Sequence, residues 1–122
     1  KLRKTDGLIV WDTPVIEIER RIRAYNPWPG CYSFLPLRLR RKGNAGRLVI
    51  LRAKIVRQLS PGWEQAAPGT VVGLDKAGPI VKCHDTALML TEVKPEGGSA
   101  MDGGAFLRGR ALKPFEDRLL ME

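Results

Sequence analysis

"RAYNPWPGCYSF", residues 23–34, is where the period of this 122-residue chain changes. Upstream, Val15, Ile18, Ile22 and Tyr25 recur at helical spacing and form one apolar stripe, with Arg20 and Arg23 on the opposite side. Asp12-Thr13-Pro14 supplies a capping residue and a proline suited to the first helical position. Pro27 biases Asn26 away from helical angles, so the helix is predicted to end near Tyr25. Downstream, from Tyr32, the period drops to two: Leu35, Leu37 and Leu39 alternate with Pro36, Arg38 and Arg40. Trp28 sits at the change, between two prolines. A rigid aromatic there is expected to be a structural plug that caps one end of a barrel and docks the helix onto it; a ligand platform is the alternative.

The alternating pattern continues through a Gly- and Asn-rich connection, residues 41–47, into a return strand over Leu48 to Arg57. That strand places Val49, Leu51, Ala53 and Ile55 on one face and Arg52 and Lys54 on the other. After a loop over 60–69 come three further strand candidates, Thr70 to Leu74, Ile80 to Cys83 and Leu88 to Val93. Leu8 to Trp11 is too short for a helix and reads as extended. Asp102 or the glycines after it are positioned to start a short helix carrying Phe106 and Leu107, and "KPFEDRLLME", 113–122, is a candidate last strand. The length suits one domain. Together these elements predict a mainly β fold: a small oligonucleotide-binding-type β-barrel, preceded by one amphipathic helix and carrying a short helix near the C-terminus.

Charge is distributed unevenly. Residues 1–57 hold 14 Lys and Arg against 4 Asp and Glu, a balance of +10, whereas 58–122 hold 7 against 9, a balance of −2. One cationic face follows, with nucleic acid as its leading partner and an anionic membrane or a merely solvated surface as alternatives. Its candidate members are Lys1, Arg3 and Lys4 at the start, Arg20 and Arg23 on the helix, and Arg38, Arg40, Arg41, Lys42, Arg47, Arg52 and Lys54 along the hairpin. Arg38, Arg52 and Lys54 share a face if the hairpin is in register. Glu17–Arg21 and Glu19–Arg23 are spaced for i,i+4 pairs, which leaves Arg20 without a partner at that spacing. The strands are aliphatic and only Tyr32 and Phe34 fall near one, so contact is expected to phosphates and shape more than to splayed bases.

Catalytic chemistry finds no support. His84 is the only histidine, and with Asp85 it falls in a predicted turn without a second catalytic partner. No glycine-rich phosphate loop stands between a strand and a helix. Cys31 and Cys83 are too few for a disulfide scaffold and are not spaced for zinc, which fits a reducing, cytoplasmic setting. No apolar run approaches the roughly 18 residues of a membrane span, and no signal peptide is evident.

The stretches "KLRKTDGLIVW", "IERRIRAYNPWPG", "LTEVKPEGGSAM" and "FLRGRALKP" resemble, in order, the C-terminal domain of the bacterial methionyl-tRNA formyltransferases. The resemblance implies a linker remnant over 1–8 and a barrel domain over 9–122. It implies a parent enzyme that transfers a formyl group from 10-formyltetrahydrofolate to the amino group of initiator methionyl-tRNA. The catalytic Asn, His and Asp of that family lie in an N-terminal Rossmann-like domain and have no match here, so the chain alone is expected to be non-catalytic, cofactor-free and monomeric. Lys1, Arg3 and Lys4 match the family's basic linker, and Arg20 to Arg23 match the helix that follows. Ile9-Val10-Trp11 departs from the family's frequent Ile-Asp-Trp, and "KPFEDRL" runs longer than the usual ending. Sugar-nucleotide formyltransferases share the proline-tryptophan-proline element and are the alternative, with a free-standing nucleic-acid-binding barrel as a third reading. The basic first half favours the tRNA enzymes.

Overall fold

The computed structural model describes all 122 residues. Helix α1 spans Val15–Ala24, and strands β1 to β5 span Cys31–Phe34, Arg47–Val56, Val71–Asp75, Gly78–Lys82 and Ala87–Pro95. A two-residue strand β6, Met101–Asp102, leads into helix α2, Gly103–Gly109. The strands pair antiparallel in the order β1-β2-β5-β4-β3, with β6 on β5.

That order leaves β1 and β3 as edges, and the chain after α2 covers both. Phe115 N–H donates to the Val71 carbonyl (2.7 Å), Val71 N–H to Asp117 (2.9 Å) and Leu119 N–H to Gly69 (2.9 Å). One step on, Phe34 and Leu120 exchange both backbone hydrogen bonds, at 2.9 and 2.8 Å. The sheet thereby becomes barrel-like, with neither edge left unpaired at the seam. The candidate last strand is thus corrected to two single bridges, Thr70 with Arg118 and Phe34 with Leu120. Because the segment changes partner within a few residues, no ladder on either edge grows longer. Gly69 permits the approach: its φ is +93°, and a side chain there would strike the Leu119 carbonyl.

Two buried polar contacts pin the closing segment. Asp117, 4% exposed, accepts from Arg38 Nε (3.0 Å), from Arg38 Nη2 and from the Lys113 N–H (2.7 Å). Ser33 Oγ accepts from Trp11 Nε1 (3.0 Å) and donates to the Leu120 carbonyl (2.8 Å). The second contact joins the N-terminal segment, β1 and the C-terminal segment at one hydroxyl.

The helical stripe behaves as its spacing predicts: Val15, Ile18 and Ile22 are buried and α1 packs on β2. Its cap is different. Pro14, not Asp12, occupies the capping position and brings no side-chain acceptor, so the Val15 N–H is met from across the fold by Asp85 Oδ1 (2.9 Å). Asp12 instead contacts His84 Nδ1 (2.9 Å). Of the two predicted helical ion pairs, Glu19–Arg23 forms at 2.8 Å; Glu17–Arg21 does not.

The first half of the hairpin also departs from its pattern. β1 ends at Phe34, and after Pro36 residues Leu37–Leu39 form a 3-10 turn with Leu37 exposed. Proline cannot donate to a ladder, so the leucine–arginine alternation never becomes a strand. In β2 the inward parity switches. Leu48 and Ile50 are buried, the register shifts on both sides of Arg52, and Ala53 and Ile55 then pack on the core. A bulge moves the buried face by one residue, which puts Val49 outside. Residues 70–93 form three strands as expected, with ends displaced by one or two positions.

The main core joins the α1 stripe and Trp11 to Leu48, Ile50, Val71, Val81, Leu88, Leu90 and Val93, with Phe106 from α2. Asp102 caps α2 by accepting from the Ala105 N–H (2.7 Å), as anticipated. Gly103 lets that helix sit against the Leu90 and Ala77 carbonyls, where a Cβ would not fit. Cys31 and Cys83 are free and buried, and burial pushes their thiols up to about 11 and about 12. No helix is long and apolar enough to cross a membrane.

Removing the buried Asp117 carboxylate leaves the Lys113 N–H and the Arg38 guanidinium without this acceptor. Asp117→Ala is expected to lower the urea midpoint with an unchanged slope, costing about 1–3 kcal/mol for the stranded donor. Arg52→Ala, which breaks only the exposed 3.2 Å pair with Glu92, should stay within about 0.5 kcal/mol. Equal midpoints for the two variants would reject the pinning role.

Burial raises the Asp85 carboxyl, but the N–H groups of Val15 and Thr86 outweigh it and hold it below its ordinary value. A depressed carboxylate stabilises the fold above its unfolded pKa of about 3.9, and that contribution is lost as pH falls through the folded value. Asp85→Ala should cost about 1 kcal/mol at neutral pH and remove this part of the loss below about pH 4. An acid limb identical to that of the parent chain would show that Asp85 contributes nothing.

Candidate nucleic-acid interface

Trp28 is not a plug. It is 53% exposed, the most solvent-accessible of the three tryptophans, whereas Trp11 and Trp63 are 4% and 7% exposed. The space it was expected to fill is taken by the N-terminal segment. Leu8 bridges Tyr32, Ile9 N–H donates to the Tyr32 carbonyl (2.9 Å), and Gly7 lies directly on Gly30. Both X–Pro bonds, Asn26–Pro27 and Trp28–Pro29, are cis, and Gly30 N–H closes the turn on the Tyr25 carbonyl (2.8 Å).

The exposed indole lines a cleft of about 350 Å³ with Lys4, Tyr32, Arg47, Val49 and Lys94. Arg47 stacks on Tyr32, its guanidinium carbon 3.9 Å from the ring centroid, and its Nε is buried without a hydrogen-bond partner. Val49 reaches this cleft because of the bulge parity described above. Across Pro95 and Glu96 lies a second cleft of about 180 Å³, lined by Arg41, Arg110, Met101 and Phe106. Glu96 borders both clefts and is the only acid in either. Its carboxylate is occupied by the hairpin backbone, accepting from the N–H groups of Ala45 (3.2 Å) and Arg47 (3.1 Å). Lys4, Arg47, Lys94, Arg41 and Arg110 therefore border two adjoining clefts with one engaged carboxylate between them.

The other predicted cations disperse. Arg38 is bound to Asp117 and the Ala111 carbonyl, and Arg40 donates to the Leu35 carbonyl (2.8 Å) and to a Glu122 backbone oxygen (2.7 Å). Both fasten the hairpin to the closing segment, and Arg38 does not share a strand face with Arg52 and Lys54. Arg23 and Arg52 line a third cleft between α1 and the β2 bulge, each facing a carboxylate, Glu19 and Glu92. Arg20 is exposed beside Arg21 on the helix. Lys1, Arg3, Lys42 and Lys54 are exposed, with Arg3 N–H donating to Asp6 (2.8 Å).

Sequence reasoning passed over Lys94 and Arg110. Both lie in the near-neutral half of the chain, and it is the β5 pairing for Lys94 and the packing of α2 for Arg110 that bring them to these clefts. Lys94 faces β2 through its register with Val49.

The family described as "Formyl transferase, C-terminal domain" matches residues 1–111. Methionyl-tRNA formyltransferase of Granulibacter bethesdensis is 39% identical over 92% of this chain and 31% of its own length. That of Symbiobacterium thermophilum is 42% identical over 93% of this chain and 32% of its own. The chain thus spans about a third of the length of the curated relatives it matches. Among solved structures, a multiply substituted HypX from Aquifex aeolicus shares the fold, with a TM-score of 0.58 at 18% identity over 93% of this chain and 19% of that one.

The exposure of Trp28 generates a stability contrast. Trp28→Ala should cost under about 1 kcal/mol, while Trp11→Ala, which empties a core site and strands Ser33, should cost about 3–5 kcal/mol. Chemical denaturation of both variants measures this directly, and a Trp28→Ala loss in the core range would restore the plug.

Proposed function

The chain belongs to the formyl transferase C-terminal domain family, and on that premise we propose that it is the tRNA-holding domain of a methionyl-tRNA formyltransferase. The parent protein transfers a formyl group from 10-formyltetrahydrofolate to the amino group of initiator methionyl-tRNA in the cytoplasm. Its catalytic trio and folate site lie in the N-terminal Rossmann-like domain outside this chain. Residues 1–8 are the end of the basic connection to that domain, and residues 9–122 form a barrel of the oligonucleotide-binding type.

The observation that carries this reading is the pair of clefts beside Glu96, where cations from both halves of the chain converge without a free carboxylate among them. Phosphates are the groups such a strip holds: each neutralised phosphate releases counterions and fixes position without reading sequence. Lys4, Arg47 and Lys94 contact the backbone of the tRNA. Trp28 adds a rigid aromatic face at the same cleft, on which one unpaired base stacks. A sugar-nucleotide substrate would use one phosphate-binding pocket and leave the rest of this strip idle.

These roles separate in a salt titration. Lys4→Gln and Lys94→Gln should each weaken tRNA binding and reduce the slope of log affinity against log salt by about 0.7–0.9. Trp28→Ala should weaken binding by about 1–3 kcal/mol with the slope unchanged, since stacking releases no counterion. Affinity of the parent chain for tRNA that is indifferent to salt would refute the electrostatic interface.

A further inference from the structure

Arg110 is one of two arginines, with Arg47, whose buried Nε has no hydrogen-bond partner. It follows α2, and its guanidinium carbon lies 5.9 Å from the Phe106 ring centroid. Arg41, from the hairpin connection, lines the same cleft. Two like charges facing one small cavity repel, and a buried unpaired donor costs free energy. Burial first, and the Arg41 charge second, lower the Arg110 pKa from its ordinary value. Glu96, the only acid lining the cleft, forms no ion pair with either arginine; its carboxylate accepts from the amides of Ala45 and Arg47. Arg47 stacks on Tyr32 at 3.9 Å, whereas Phe106, at 5.9 Å, offers Arg110 a weaker cation–π contact.

We infer that Arg41 and Arg110 form a binding site for a single phosphate group in the cleft beside Pro95 and Phe106. A phosphate supplies several acceptor oxygens and a negative charge, so one group can take the Arg110 Nε–H and also sit between the two guanidiniums. The cleft, about 180 Å³, has room for one such group. The ligand is either free phosphate or a backbone phosphate of a bound RNA. The latter source rests on the tRNA reading above and would extend its strip to Arg110.

The test uses the 122-residue chain labelled with nitrogen-15. Inorganic phosphate is titrated at constant ionic strength while the Arg110 Nε–H and the Gly109 amide are followed by NMR. A saturable shift at both is expected, weakened about tenfold or more by Arg41→Gln, the loss of one charge-assisted contact, and untouched by Arg52→Gln. Arg41 is exposed, so its variant tests the site even if Arg110→Gln fails to fold. In a second arm, tRNA binding by Arg41→Gln is expected to show a salt slope smaller by about one unit. A phosphate response with an unchanged RNA slope identifies the free anion as the ligand. A reduced slope without a phosphate response identifies the RNA backbone. Neither effect, in a chain that otherwise binds tRNA with the usual salt dependence, overturns the site. Absence of any tRNA binding with an intact phosphate response counts against the tRNA reading alone.

Discussion

The seam between β1 and β3 governs this molecule. A five-strand path ending in two bare edges would expose unpaired N–H and C=O groups along both, a template for association with other chains. Residues 115–120 fill that gap by hydrogen-bonding to Val71 and Gly69 on one side and to Phe34 on the other. The segment is too short to hold itself there by backbone pairing, so side chains fasten it. Asp117 gathers Arg38 and the Lys113 amide, and Ser33 gathers Trp11 and Leu120. Asp117 and Ser33 are themselves buried, so removing the donors they hold leaves a buried polar group unpaired, which gives these few atoms an influence beyond their number.

Closure also decides which charges remain available. An arginine bound to a buried carboxylate or to main-chain oxygens has lost much of the attraction it could offer a phosphate. Arg38 and Arg40 are spent in this way on the closing segment, and Arg23 and Arg52 face carboxylates of their own. Net charge counts all of them equally. Over distances beyond about 8 Å at physiological salt, screening removes most of their collective field, so local arrangement outweighs the total. The clefts beside Glu96 are where that local arrangement is most cationic.

The sequence was legible where one element determines its own form. The α1 stripe, the Asp102 cap and the short β3–β5 strands depend on local period and turn chemistry, and they lie close to where period and turns place them. It was misleading where a distant segment decides. Leu35 to Arg40 alternates like a strand, but Pro36 and the demands of Asp117 turn it into a clasp. The parity switch in β2 rests on a bulge that alternation alone does not announce. Asp85 replaces Asp12 as the helix cap across a separation of 70 residues. Of the cations lining the two clefts, Lys4, Arg41 and Arg47 stand out from charge density in the sequence, while Lys94 and Arg110 are brought there by the fold.

Trp28 shows how the same local signal supports opposite outcomes. Prolines on both sides restrict the backbone whether the ring points into a core or out of it; they specify stiffness, not burial. What sets the direction is the occupancy of the space: the segment through Leu8, Ile9 and Trp11 lies at the barrel end and meets Tyr32 and Ser33 with hydrogen bonds. An indole kept outside on a rigid turn loses little conformational entropy when a partner stacks on it, because the backbone that carries it was ordered during folding. The stiffness that would have suited a plug suits equally the stacking platform proposed for Trp28. Its neighbours in the cleft, Lys4, Arg47 and Lys94, form no ion pair within the chain.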